Sequence, residues 1–186
     1  MTTRTALHRT APLLLLASIL STTRAGSAYP QASHQTGHAD IPSSIRADHH
    51  EVREALQRAT KLGGRTGVAA RALDAVLQPH FVREEQIALP PLSMLALLVR
   101  SEHARAPGWL LPMTDSLRRE LPQMLREHVA IRAATQRLAR EARAEGQSAV
   151  ARLTDELALH ALSEEEVLYP AAILVGDLVR ARSGPR

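Results

Sequence analysis

A histidine and a glutamate four residues apart stand in the run His160-Ala161-Leu162-Ser163-Glu164-Glu165-Glu166-Val167-Leu168-Tyr169-Pro170. On an α-helix that spacing places the two side chains about 40° apart on one face, so an imidazole and a carboxylate can address one cation. The stripe Leu153, Leu157, His160, Glu164, Val167, Ala171, Leu174, Leu178 alternates steps of four and three and is otherwise apolar, which turns both polar residues toward a core. An unpaired carboxylate there costs several kcal/mol, so Glu164 must be protonated, paired or bound to a cation.

The pattern occurs twice. His80-Phe81-Val82-Arg83-Glu84-Glu85-Gln86-Ile87-Ala88-Leu89-Pro90 has the same histidine, glutamate pair and proline at the same offsets. Upstream of each copy lies a further matching segment, Asp48-His49-His50-Glu51-Val52-Arg53 before the first and Glu127-His128-Val129-Ala130-Ile131-Arg132 before the second. The chain therefore reads as two helical hairpins, each with a histidine on its first helix and a histidine plus a glutamate on its second.

The helices that must carry these residues follow from the same periodicity. The first is expected to begin near Ser43 or Ser44, either of which can cap it, and to stop at Gly63-Gly64. Its inward stripe Ile45, His49, Val52, Leu56, Ala59 selects His49 over His50. His50, about 100° round the axis, reads as a solvated residue or a hydrogen-bond partner behind the site. The second runs from about Val68 to Leu89 with Ala69, Leu73, Val76, His80, Glu84 and Ile87 inward. Pro79 should bend it, or end it at Gln78 and open a new helix.

Between Pro90 and Met113 a short helix is expected over one end of the bundle, with His103 outside the histidine–glutamate pattern. The third helix has Asp115 as a cap in a lead-in turn, a bend at Pro122, and the stripe Leu121, Met124, His128, Ile131, Thr135, Leu138, Ala142 before Gly146. The fourth starts near Ser148 and continues past a kink at Pro170. With no βαβ alternation, hairpin signal or glycine-rich phosphate loop, the expected fold is all-α, an antiparallel four-helix bundle over residues 44–182 built from two repeated hairpins.

Residues 1–28 read as a signal peptide: Arg4 and Arg9, an apolar run from Ala11 to Leu20, then small residues Gly26-Ser27-Ala28. The run is too short to span a bilayer; the alternative is a membrane-anchored or merely apolar start. Residues 29–43 read as a flexible leader, where His34 and His38 have nothing to hold them in place. A secreted or periplasmic location follows. Of the 23 basic residues against 19 acidic, cleavage removes Arg4, Arg9 and Arg24 and leaves 20 against 19. The basicity largely disappears, and with 2% aromatics there is no stacking platform for nucleic acid. The chain has no cysteine, so any metal must be held by nitrogen and oxygen.

The stretch Ile45 to Ala59, the Pro79-His80-Phe81-Val82-Arg83-Glu84-Glu85 run with Leu89-Pro90-Pro91-Leu92, the Glu127-His128 segment and His160 to Gly176 together resemble the hemerythrin-like family, bundle proteins with an HHE cation-binding domain. The resemblance spans residues 44 to 180 and implies a non-haem site of two irons bridged by carboxylates. It assigns His49, His80, His128 and His160 as terminal ligands and Glu84 and Glu164 as bridges, the same six that the inward stripes select. Oxygen-binding members carry a fifth histidine on the third helix, where this chain has Met124 and Arg132. That departure tells against reversible oxygen carriage and favours a more open, reactive or merely iron-holding site.

Glu85 and Glu165 lie about 140° from their histidines and read as alternative ligands, acceptors for histidine N–H groups, or solvated surface. Asp48 and Glu127 have the same alternatives, with solvated surface the favoured one. Three functions remain open at this stage: an exported di-iron protein binding dioxygen, nitric oxide or iron; an enzyme with the same site, reducing peroxide or nitric oxide or oxidising ferrous iron; and a metal-free interaction bundle.

Overall fold

A computed structural model describes residues 40–101 and 103–183. The expected signal peptide, His34, His38 and most of the leader lie outside the described residues. Every regular element among those described is helical, and no strand occurs. The α-helices are α1 (Ser43–Thr60), α2 (Gly64–Arg83), α3 (Leu95–Arg100), α4 (Leu110–Ala144), α5 (Ser148–Ser163) and α6 (Tyr169–Ser183). A wide π turn, Glu84–Ala88, follows α2, and a second, Glu164–Leu168, joins α5 to α6; a 3-10 turn, Pro90–Met94, leads into α3. No described helix is long and apolar enough to cross a membrane.

α1 packs against α2 and α5, and α4 packs against the same two, so these four close a ring; α6 extends beyond α5 along α4. Besides a smaller cluster of Met94, Leu98, Leu110, Val175 and Val179, two apolar layers fill the interior. One gathers Val52, Leu56, Leu73, Leu77, Phe81, Ile131, Leu138 and Leu157. The other gathers Ala88, Leu89, Leu92, Leu117, Met124, Tyr169 and Ala172. Each fully buried leucine stabilises the fold by about 1.5–3 kcal/mol. Followed along α2, α4 or α5, the chain leaves one layer, crosses a polar level and enters the other.

Several boundaries differ from expectation. The position before α1 is Pro42, and neither Ser43 nor Ser44 caps it. α2 starts at Gly64, because a residue distant in sequence supplies its cap: the Glu145 carboxylate accepts from the amides of Arg65 (2.8 Å) and Thr66 (3.0 Å). The nearby Thr66 hydroxyl and these amides hold that carboxyl down at about 2. Gly64 has φ 67°, which favours glycine, and a Cβ there would lie 2.8 Å from the Glu145 oxygens and push the capping carboxylate aside. α4 runs unbroken from Leu110 through Pro122, and Asp115 pairs with Arg180 at 2.7 Å instead of capping a helix. Pro79 likewise lies within a continuous α2.

The larger correction concerns register. In each π turn an amide reaches back five residues: Leu89 N–H donates to Glu84 C=O, and Tyr169 N–H donates to Glu164 C=O. One extra residue per turn displaces every later position round the helix. Beyond Glu164 the buried residues are Tyr169, Ala172, Val175, Gly176 and Val179, whereas the expected Val167, Leu174 and Leu178 are 58%, 63% and 40% exposed. Beyond Glu84 it is Ala88, not Ile87, that is fully buried. Within α2, Leu77 replaces the expected Val76, because the buried arc is centred on the side of His80 that carries Phe81 and Glu84.

Candidate metal centre

Between the two apolar layers six polar side chains converge. α1 brings His49, α2 brings His80, α4 brings His128 and α5 brings His160, while Glu84 and Glu164 are the first residues of the two π turns. All are buried except His160, whose side chain is 9% exposed. They form two overlapping groups, His49 with Glu84, His160 and Glu164, and His80 with Glu84, His128 and Glu164. Within each group one ligand atom per residue lies within 4.8 Å of the others, and both glutamates belong to both groups. His49 Nε2 is 3.7 Å from Glu84 and 3.5 Å from Glu164; His80 Nε2 is 3.4 Å from Glu84; His128 Nε2 is 3.4 Å from Glu164; His160 Nε2 is 2.8 Å from Glu164.

Each imidazole is oriented from behind by a carboxylate on a neighbouring element. His49 Nδ1 donates to Glu85 (2.9 Å), His80 Nδ1 to Glu127 (2.9 Å), His128 Nδ1 to Glu165 (2.7 Å) and His160 Nδ1 to Asp48 (2.5 Å). Asp48 and Glu127 thus hold histidines, the reading that the sequence ranked behind solvated surface. In all four cases the acid is the immediate neighbour of a site residue on its own chain segment, and that adjacency was the available signal. Being about 100° away from an inward residue, it reaches sideways to the histidine of the next helix.

Three of these carboxylates are anchored in turn, by Arg53 on Glu85, Gln123 on Glu127 and Arg132 on Glu165. Burial would raise their pKa values. It is outweighed by Arg53 and His49 at Glu85, by His80 and Gln123 at Glu127, and by Arg132 and His128 at Glu165, so all three lie below the usual carboxylate range. Arg132, which stands at the position discussed for a fifth histidine, therefore works behind the site. Met124 is fully buried in the apolar layer beside Tyr169.

The chemistry of this donor set fits a cation. A carboxylate only accepts, so each Nδ1 carries the proton and each Nε2 turns a lone pair inward. His80 Nε2 and His128 Nε2 face each other at 2.8 Å, a repulsive arrangement unless a proton or metal ion lies with them. His49 Nε2 and Glu84 Oε2 are buried without hydrogen-bond partners, and His160 Nε2 faces Glu164 Oε1 at 2.8 Å. Without metal, protons take up this role. Burial would lower the His160 pKa, but Glu164, Asp48 and Glu84 raise it to about 9. Burial is likewise outweighed at His80, which Glu84 and Glu127 raise. Burial pushes Glu84 up, helped by the charge of Glu164, whereas three histidines hold Glu164 well below its ordinary value despite burial. Imidazole and carboxylate without sulfur suit iron, manganese or zinc.

Two aromatic rings complete the centre. Phe81 stacks on His49 with centroids 4.1 Å apart and meets His160 edge-on at 5.6 Å. The Tyr169 hydroxyl donates to Glu84 Oε1 and lies 3.1 Å from His128 Nε2. Burial, with the charges of Glu84 and Glu164, drives its pKa far above the phenol range, so it remains a donor. Sequence reasoning missed Tyr169 because on a regular helix nine residues place it about 180° from His160; only the π turn brings it round. His50 is exposed, 3.4 Å from Glu54, and His103 lies in the segment before α4; neither belongs to the two groups.

A protein-family model described as the hemerythrin HHE cation binding domain matches residues 40–172. Comparison with curated proteins and with solved structures gives no match.

Proposed function

Because the chain belongs to the hemerythrin HHE cation-binding family, we propose that it is an exported non-haem di-iron protein that binds dioxygen, nitric oxide or iron. The observation that carries this reading is the pair of groups sharing Glu84 and Glu164. Two imidazoles belong to each group and the two carboxylates to both, a donor set for two cations with positions left over for a small ligand. His49, His80, His128 and His160 would be the terminal ligands, and Glu84 and Glu164 would serve both irons. The arrangement proposed for the whole is an antiparallel four-helix bundle made of two repeated hairpins, and export rests on the character of residues 1–28.

Bound iron supplies Lewis acidity and reversible one-electron chemistry. The chain's own groups do the rest. Glu85, Glu127, Glu165 and Asp48 hold the imidazoles in the tautomer that leaves Nε2 free. The apolar layers and Phe81 exclude water, and Tyr169 O–H, which holds its proton, offers a hydrogen bond beside Glu84 and His128. That donor favours the second reading, an enzyme that reduces peroxide or nitric oxide or oxidises ferrous iron, since it can hydrogen-bond negative charge that builds up on a small molecule there.

Metal analysis of protein purified without a histidine tag tests the first reading; the expected content is near two irons per chain. A ferric pair absorbs in the near ultraviolet and zinc does not. A chain that stays metal-free after anaerobic iron addition defeats the proposal. Stopped-flow spectra separate the carrier, with a stable reversible adduct, from the enzyme, with turnover.

A further inference from the structure

The seam between α1 and α5 differs from the other three around the ring. Arg53 on α1 reaches Gln78 and Glu85, Arg65 and Arg83 on α2 reach Glu141 and Glu120 on α4, and Arg143 on α4 reaches Asp155 on α5. No arginine crosses from α1 to α5 among the described residues. An open cleft of about 390 Å³ lies there, and four of its lining residues are acidic: Asp48, Glu51, Glu54 and Glu156. Its one arginine, Arg58, stands 3.7 Å from Glu54. Glu51 and Glu156 have no basic partner among the described residues.

The cleft leads to His160. That imidazole lines it, is nine-tenths buried, and turns Nε2 to Glu164 at 2.8 Å, inside the group it forms with Glu84 and His49. The other three histidine side chains are at most 1% exposed. Only Asp48, itself on the cleft wall, fixes the outer nitrogen of His160, so this histidine is the least confined of the four. Carboxylates gathered in a cleft with apolar walls raise the local concentration of cations and repel anions.

We propose that the α1–α5 cleft is the intake route through which a divalent metal cation reaches the buried centre. Glu51 and Glu156 draw the hydrated ion in, and the Asp48–His160 pair forms the inner gate that hands it to Glu164. This rests on the reading of the centre as a cation site and adds to it a direction of approach.

The test is the rate at which the full metal-free chain takes up cobalt(II), followed by the visible absorption of the bound ion. E51Q/E156Q alters only exposed side chains outside the six ligands. It is expected to load roughly three- to tenfold more slowly at low ionic strength, with the deficit shrinking as salt is added. The final cobalt content and spectrum stay those of the wild type. E166Q, an exposed charge off the cleft, is expected to load at the wild-type rate. A double variant that loads as fast as wild type at low salt, or an E166Q variant slowed equally, overturns the intake route alone. A wild-type chain that takes up no cobalt overturns the cation centre together with it.

Discussion

The two cation groups share both glutamates and differ in their surroundings. The His80–His128 group is buried throughout and has the Tyr169 hydroxyl beside it, whereas the His49–His160 group is sealed by the Phe81 ring on one side and meets an acidic cleft at His160. The difference traces to two sequence positions. The residue after the histidine is Phe81 in one stretch and Ala161 in the other; the fifth residue after the glutamate is Leu89 in one and Tyr169 in the other. Ligand chemistry is thus duplicated while access and hydrogen-bond donation are not. One group opens on a cleft at His160, and the other has a phenol that donates a hydrogen bond beside it.

The comparison breaks most completely at the shared carboxylates. Glu164→Ala removes a donor from both groups and is expected to reduce iron content to near zero, measured by metal analysis after anaerobic loading. Glu165→Ala removes only the support behind His128 and should weaken affinity roughly ten- to hundredfold, with stoichiometry retained at saturating metal. The reverse ranking would mean that the wrong glutamate has been placed inside.

Single histidine changes sharpen the contrast. His160→Ala and His128→Ala are each expected to leave about one metal per chain, in the closed group for the first and the open group for the second, provided the two positions bind independently. Loss of both metals from either variant would show that the groups fill only as a pair.

Stability of the metal-free protein should depend on pH through His160. Its folded pKa, about 9, lies above the ordinary 6.5, so its contribution is fully present below 6.5 and is lost as pH rises through 9. The shift corresponds to about 3 kcal/mol. Denaturant titrations between pH 6 and 10 should show this decline in the wild type and a flatter profile in His160→Gln. The same protons must leave on metal binding, so cobalt addition near pH 7.5 in weak buffer should acidify the solution.

The smallest effect belongs to Tyr169→Phe, which keeps the ring buried and removes only the hydroxyl. It is expected to retain its metals and to lose about 1–3 kcal/mol of stability, since a Glu84 oxygen is left without its donor. Unchanged stability would show that the hydroxyl contributes nothing in the metal-free state.

The six converging residues could be read from sequence because periodicity of 3.6 holds from each histidine to the glutamate four residues on. Legibility ended where the backbone left that period. Val167, Leu174 and Leu178, assigned inward on a regular helix, are exposed, and Tyr169, which that stripe left out, is buried, because no residue type announces a five-residue return. Asp48 and Glu127 were hidden for another reason: an acid facing sideways on a helix is usually solvated, and only the neighbouring helix shows that it holds a histidine. The Glu145 cap on α2 joins residues some eighty positions apart, beyond the reach of any local pattern.

The π turn after Glu164 also leaves α6 with a spare face. Val167, Leu174 and Leu178 lie outward, in line with the stripe that a regular helix would have buried. Were the same residues to wind as a regular helix, with a four-residue return after Glu164, every position of α6 would turn by about 100°. Leu168 would then take the place of Tyr169 and Leu174 that of Val175, and Val175 would press its side chain on Thr114, which leaves no room for a Cβ at Gly176. Deleting one residue between 165 and 168 would instead straighten the helix and leave α6 facing as it does, so the one extra residue decides which of two oily faces is core and whether a phenol stands at the centre.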